Sequence, residues 1–215
     1  MKYMIASDIH GSAYYCRKML EAYKREKAQK LVLLGDILYH GPRNDLPLEY
    51  APKTIIPLLN EQKDEILAVR GNCDAEVDQM VLEFPIMADY AVLELGHGRT
   101  IYLSHGHIYH KDHLPPMKKG DVFLQGHTHV LQAEHKDGFI FLNPGSISIP
   151  KEGNPPTYAI LEVQSVSNVG ANEEIRSFAS EYVEEAADGK NYEAQCICRF
   201  TIKTFENESI KEYVF

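Results

Sequence analysis

Five short apolar runs, each ending in the same kind of polar turn, constrain this chain more than any other feature. Tyr3–Ala6, Leu31–Leu34, Ile66–Val69, Thr100–Leu103 and Val122–Leu124 are too short for buried helices and rich enough in Val, Ile, Leu or Tyr for buried strands. The residues just after each run are more telling. The runs lead into Ser7-Asp8-Ile9-His10-Gly11, Gly35-Asp36, Arg70-Gly71-Asn72-Cys73-Asp74, Ser104-His105-Gly106-His107 and Gly126-His127-Thr128-His129. Between the first two runs, Tyr15, Met19, Leu20 and Tyr23 fall at helical spacing behind Ser12, a fair N-cap. Between the second and third, PKTIIPLLNEQKDE gives another helical pattern, opened by Pro52. From about residue 90 onward the pattern is mostly β, so the alternation predicts a layered α/β fold with a β-rich second half. Ligands of open α/β sheets gather outside the carboxyl ends of the strands. Five strands therefore deliver Asp, Asn or His to one rim, and a glycine beside each lets the backbone turn sharply.

Taken singly, each turn has an ordinary explanation. Gly-Asp is usually a turn, Asn-Cys-Asp serves as an Asx turn or a cap, and two histidines of a loop can simply be solvated. Taken together they do not, because no packing argument wants so many imidazoles and carboxylates converging on one point. Imidazole, carboxylate and amide oxygen without a thiolate majority select Mn²⁺, Fe, Zn²⁺, Co²⁺ or Ni²⁺. Seven candidate ligands, Asp8, His10, Asp36, Asn72, His105, His127 and His129, exceed what one ion needs and suit two ions sharing a bridge. Asp36 is the natural bridge, since a carboxylate has two oxygens and its strand lies between the others in sequence.

Composition narrows the setting. At 215 residues the chain makes one domain over 1–215 and can bury a core without staples. The net charge of −9 excludes coating nucleic acid by bulk electrostatics, although bound cations can reverse the field locally for a phosphorylated substrate. No apolar run approaches the ~18 residues of a membrane span. MKYMIAS reaches Asp8 too soon for a signal peptide's apolar core, and Cys16, Cys73, Cys196 and Cys198 are too few and irregular for a disulfide framework. The expectation is a cytoplasmic protein.

The order Asp8-x-His10, Gly35-Asp36, Gly71-Asn72-x-Asp74, His105-Gly and Gly126-His127-x-His129 resembles the calcineurin-like metallophosphoesterases. HGPRNDLP, YAP, VRGNCD, EVDQM and NPGSISIPKEGNPPTYAILE are similar to the bacterial YfcE-type phosphodiesterases within them. The resemblance covers residues 1 to about 162 and resumes at 200–215. It implies a four-layer α/β/β/α sandwich of two mixed sheets with the site at one edge. It also implies that Asp8, His10 and His129 hold one ion, that Asn72, His105 and His127 hold the other, and that Asp36 bridges. Two divalent ions, Mn²⁺ foremost, would then activate a bridging hydroxide to hydrolyse a small phosphodiester. Asn72, Cys73, Asp74 and His107 are the catalytic candidates, and Arg43 is a candidate donor to a substrate phosphate. Cys73 departs from the family's pattern. Many members carry His there, taken as the leaving-group acid, and a thiol of ordinary pKa about 8.5 is a poor replacement. Good leaving groups should therefore be favoured.

Residues 163–199 depart as well, as an insertion in the closing β-hairpin. Ile175, Phe178, Ala179, Tyr182, Val183 and Ala186 follow helical spacing between the cap Asn172 and Gly189. Tyr192, Ala194, Cys196, Cys198, Phe200 and Ile202 then alternate as a strand. Such a helix packs on its own body or on another subunit, which leaves a homo-oligomer open. Rival functions on this fold are phosphomonoesters, cyclic nucleotides or dinucleoside polyphosphates as substrates, or a protein-binding scaffold like the retromer subunit. A scaffold has no need of seven competent ligand positions.

Overall fold

The computed structural model describes residues 1–95, 99–165 and 196–215, the side chains of 165 and 196 excepted. Each of the five apolar runs forms a strand: β1 (Lys2–Ala6), β2 (Lys30–Leu33), β3 (Ile66–Ala68), β5 (Thr100–Ser104) and β6 (Val122–Leu124). They are joined by β4 (Tyr90–Glu94), β7 (Leu131–Lys136), β8 (Phe139–Pro144), β9 (Thr157–Ser165), β10 (Cys196–Thr204) and β11 (Ser209–Val214). One sheet has the order β11-β10-β9-β1-β2-β3 and the other β4-β5-β6-β8-β7. β1 lies at the middle of the first, parallel to β2 (Met4↔Leu31) and antiparallel to β9 (Met4↔Ile160). Both sheets are mixed, as expected.

Alternation along β1 divides the interior in two. Met4 and Ala6 face helix α1 (Ala13–Glu26) together with Met19, Leu20, Tyr23, Leu31, Leu33 and Ile160. Ile5 faces the other way, into a core shared with Val32, Ile101, Leu103, Val122, Leu124, Leu142 and Leu161. One face of the first sheet thus packs on helices and the other on the second sheet. Ser12 caps α1, its hydroxyl accepting the Tyr15 N–H at 3.3 Å, and Lys24 and Arg25 lie in the last turn, where the helix dipole favours cations. Helix α2 (Pro52–Asn60) is shorter than its apolar pattern predicts. The side-chain amide of its last residue, Asn60, ties the helix end to the stretch at 81–83, donating to the Val81 carbonyl and accepting the Glu83 N–H, both at 2.9 Å. A short 3₁₀ turn, Lys63–Glu65, then leads into β3. The remaining helix among the described residues, α3 (Glu76–Gln79), is a single turn.

On the outer face of the second sheet Tyr102 donates to the Pro116 carbonyl at 2.9 Å and Tyr90 packs on Tyr102 and Tyr109. Gly106, Pro115, Pro116 and Gly120 leave the segment between β5 and β6 no helical run. The closing hairpin is lengthened, with β9 and β10 pairing into the 163–199 stretch through Val163↔Cys198, Gln164↔Ile197 and Ser165↔Cys196. The helix expected over 172–186 and the start of its following strand lie outside the described residues. No described helix is long and apolar enough to cross a membrane.

Candidate metal centre

The turns after β1, β2, β3, β5 and β6 meet at one rim where the sheets' edges touch. Backbone strain marks the place. Asp8 (φ 59°), His10 (47°), Asp36 (55°), His127 (64°) and His129 (60°) all adopt the left-handed conformation that non-glycine residues avoid. Such conformations cost of order 1–3 kcal/mol each and persist where surrounding structure dictates them. The glycines permit the close approach. A Cβ on Gly126 would lie 1.9 Å from the Ser7 hydroxyl, and one on Gly71 would lie 2.1 Å from Asp36 Oδ1.

Asp8, His10 and His129 form a buried group. His129 Nε2 is 3.1 Å from Asp8 Oδ1 and 3.3 Å from His10 Nε2, and His10 Nε2 is 3.6 Å from Asp8 Oδ1. Backbone carbonyls fix both rings from behind, Tyr39 on His10 Nδ1 at 2.9 Å and Ile149 on His129 Nδ1 at 2.7 Å. Asp8 is held too. Its carbonyl accepts the hydroxyls of Ser146 at 3.0 Å and Ser148 at 2.8 Å, and its Oδ2 accepts the His127 N–H at 3.2 Å.

The second group surrounds His105. Its Nδ1 donates to the Leu34 carbonyl at 2.6 Å, which turns Nε2 toward Asn72 Oδ1 at 3.1 Å and His127 Nδ1 at 3.2 Å. His105 is buried, whereas His127 is half-buried and Asn72 exposed. Asp36 lies between the groups, its Oδ2 3.5 Å from His10 Nε2 and 3.4 Å from His105 Nε2, while Oδ1 accepts the Cys73 N–H at 2.8 Å.

This arrangement calls for positive charge. A ring whose Nδ1–H is given to a carbonyl presents a bare lone pair at Nε2 when neutral. His10, His105 and His129 aim such lone pairs at one another, at carboxylates and at an amide oxygen, and acceptors facing acceptors repel. Asp8 Oδ1 is buried without a hydrogen-bond partner among the described residues. Bonds of 2.0–2.2 Å to one ion place neighbouring ligands roughly 3–3.5 Å apart, which is the spacing within both groups. The residues fit divalent cations. Protons respond to the same field. Burial alone would lower His105, but Asp36 and Asp8 outweigh it and raise it to about 9. Burial and the neighbouring His105 push His127 down to about 4. Burial opposes ionisation of Asp8, yet the close imidazoles of His10, His129 and His105 hold its carboxyl well below the usual range.

The other expected residues are placed differently. Asp74 is buried with its carboxylate accepting the N–H groups of Asp36, Ile37 and Gly71 at 2.7–2.9 Å, so it braces the turns after β2 and β3 and faces away from the ligand ring. Burial first, then Asp36, drive the Cys73 thiol up to about 12, which makes it a weak acid. His107 stacks 5.3 Å from His105 and 6.3 Å from His127, with Nδ1 buried and unpartnered among the described residues. Arg43 is exposed and makes no hydrogen bond or ion pair among them. Sequence reasoning missed Ser146, Ser148 and Asn143, whose amide donates to the Gly126 carbonyl at 2.8 Å and to Thr128 Oγ1 at 3.0 Å. The signal for them was the Asn-Pro-Gly-Ser turn following an apolar run.

The sequence pattern described as "Calcineurin-like phosphoesterase superfamily domain" matches residues 1–166. The chain is 47% identical over 174 residues to "Phosphodiesterase YfcE" of Escherichia coli (strain K12), covering 81% of this chain and 94% of that one. It is 27% identical over 176 residues to "Probable metallophosphoesterase YsnB" of Bacillus subtilis (strain 168), covering 77% and 86%. Its structure is similar to that of YfcE, a phosphoesterase from E. coli, with TM-score 0.80, 37% identity and 99% and 98% of the two chains covered. Vacuolar Protein Sorting 29 from Cryptosporidium parvum shares the fold, with TM-score 0.54 and 16% identity over 100% of this chain and 95% of the other.

Proposed function

The chain belongs to the calcineurin-like phosphoesterase superfamily, and on that footing we propose that it hydrolyses small phosphodiesters with two divalent ions, favouring good leaving groups. The observation that carries this reading is the meeting of two acceptor groups at Asp36 Oδ2, 3.5 Å from His10 Nε2 and 3.4 Å from His105 Nε2. Asp8, His10 and His129 would hold one ion, Asn72, His105 and His127 the other, with Asp36 shared. Mn²⁺ is our choice, since this set of oxygens and imidazoles contains no sulfur. Bound ions of this kind supply Lewis-acid charge at the phosphoryl oxygens and acidify a water.

The protein's own residues do the rest. The carbonyls of Tyr39, Leu34 and Ile149 fix the rings, so the site needs little rearrangement when the reaction occurs. Asp74 holds the turns after β2 and β3 together, which sets the position of Asp36 against Asn72. The exposed edge of the second group faces solvent, where a diester can enter. Cys73, a weak acid at about 12, gives little help to a departing alkoxide. Leaving groups that are already stable anions are therefore favoured. A series of aryl phosphodiesters of graded leaving-group pKa tests this on the wild type and on Cys73→His, with divalent ions added and withheld. We expect ion-dependent hydrolysis that falls steeply as the leaving group becomes more basic. Cys73→His should improve the poorest leaving groups most, within the ~10²–10⁴-fold typical of general acid catalysis. Ion-independent hydrolysis would overturn the metal assignment, and equal slopes in the two proteins would overturn the role given to Cys73.

A further inference from the structure

We propose that Cys73, His10 and Asp36 form an alternative ligand set, overlapping the two groups, for a thiophilic divalent ion, Zn²⁺ or Cd²⁺, at the mouth of the centre. Their ligand atoms all lie within 4.8 Å of one another, with His10 and Asp36 buried and Cys73 half-buried. The thiol is fixed to the carboxylate that the two groups share, because Asp36 Oδ1 accepts the Cys73 N–H at 2.8 Å. Asn72 Nδ2 donates to Cys73 Sγ at 3.2 Å from the open side. Gly41 closes the far side, where a Cβ would come within 3.0 Å of the sulfur.

Softness gives the set its selectivity. Thiolate ligands favour Zn²⁺ and softer ions, while carboxylate, carbonyl and water suit Mn²⁺ and Mg²⁺. An ion taken by Cys73 Sγ, His10 Nε2 and Asp36 draws one ligand from the first group and the shared carboxylate from both. A soft ion seated there competes with two-ion occupancy, so the same rim that accepts Mn²⁺ is sensitive to thiophilic metals. The inference goes beyond the proposed hydrolysis. It concerns which ion binds and is read without turnover.

The test is titration of the chelator-treated full-length chain with Cd²⁺, followed by thiolate-to-metal charge transfer in the ultraviolet. We expect a band saturating at one Cd²⁺ per chain, present in wild type and Cys196→Ser and absent in Cys73→Ser. His10→Ala should weaken Cd²⁺ binding by ~10–100-fold. ¹¹³Cd NMR of the wild type reads the same question without any variant, and a shift in the range of sulfur-ligated cadmium is expected. No band, a band that survives Cys73→Ser, a band lost in Cys196→Ser, or a shift of purely nitrogen and oxygen ligation would each overturn the proposal. A failed diester assay would leave these readings unchanged, so the two ideas fail separately.

Discussion

The two halves of the metal centre are built differently. Around Asp8, every ligand is buried and every ring is fixed from behind: His10 is 1% exposed, His129 3% and Asp8 0%. Around His105 only that one ring has a carbonyl behind it, while His127 is half-buried and Asn72 lies in solvent. On the proposed two-ion reading, a tight ion with slow exchange is expected in the first half and an exchangeable ion, open to substrate, in the second.

The largest effect should come from the residue that belongs to both halves. Asp36→Ala should strip both ions and lower diester hydrolysis by ~10³-fold or more, equivalent to about 4 kcal/mol of barrier. Metal analysis beside kinetics checks this, and a variant retaining two ions would show that the halves stand independently. The contrast between the halves is sharpened by a pair of variants. The double change Ser146→Ala and Ser148→Ala frees the Asp8 carbonyl and should cost ~10–100-fold in affinity for the tighter ion. It should also lower the melting temperature, since an unsatisfied buried carbonyl costs about 1–3 kcal/mol. Asn72→Ala should instead leave one ion per chain bound at wild-type affinity. Isothermal titration distinguishes them, and loss of the same ion in both variants would abolish the distinction.

A smaller effect concerns pH. His105 is raised to about 9 from an ordinary 6.5, so its proton favours the metal-free fold. That contribution is fully present below about 6.5 and is lost as pH rises through about 9, amounting to a few kcal/mol at most. The metal-free protein should therefore melt progressively lower between pH 6.5 and 9. Ion affinity should rise across the same window, because the ion takes the place of the proton. His127, lowered to about 4, is neutral in the fold throughout this window, so it adds only a small opposite slope near pH 6.5, where the unfolded imidazole still binds protons. Melting curves that stay flat across this window would contradict the field assigned to Asp36 and Asp8.

Much of this centre was legible in the sequence, and the legible part has a common cause. Asp8, His10, Asp36, His105, His127 and His129 each follow a strand whose apolar character is unmistakable, so their types and places could be read together. What holds them could not be read. The clamps on His10, His105 and His129 are carbonyls of Tyr39, Leu34 and Ile149, and every residue has a carbonyl. Asp74 looked like a site residue because it shares the Asn72 turn, but only the structure shows its oxygens occupied by backbone N–H groups. The tie at the end of α2 is of the same kind, since the partners of the Asn60 side chain are residues 81 and 83, beyond any local window.

The pairing of β1 with β9 sets a condition on how the molecule comes into being. Lys2 is joined to Glu162, so the central strand of the first sheet waits for a partner some three-quarters of the chain away. The seryl hydroxyls that hold Asp8 and the carbonyl that holds His129 arrive with the same late stretch, at 146–149. Contacts of such long separation close slowly and against a large loop entropy. During synthesis Asp8 emerges long before the hydroxyls that hold its carbonyl, and the ring of His129 is held only once Ile149 has followed. On the proposed reading, ion capture at Asp8 would mark the completion of the domain, and a chain interrupted before that point would carry the early ligands without the residues that hold them.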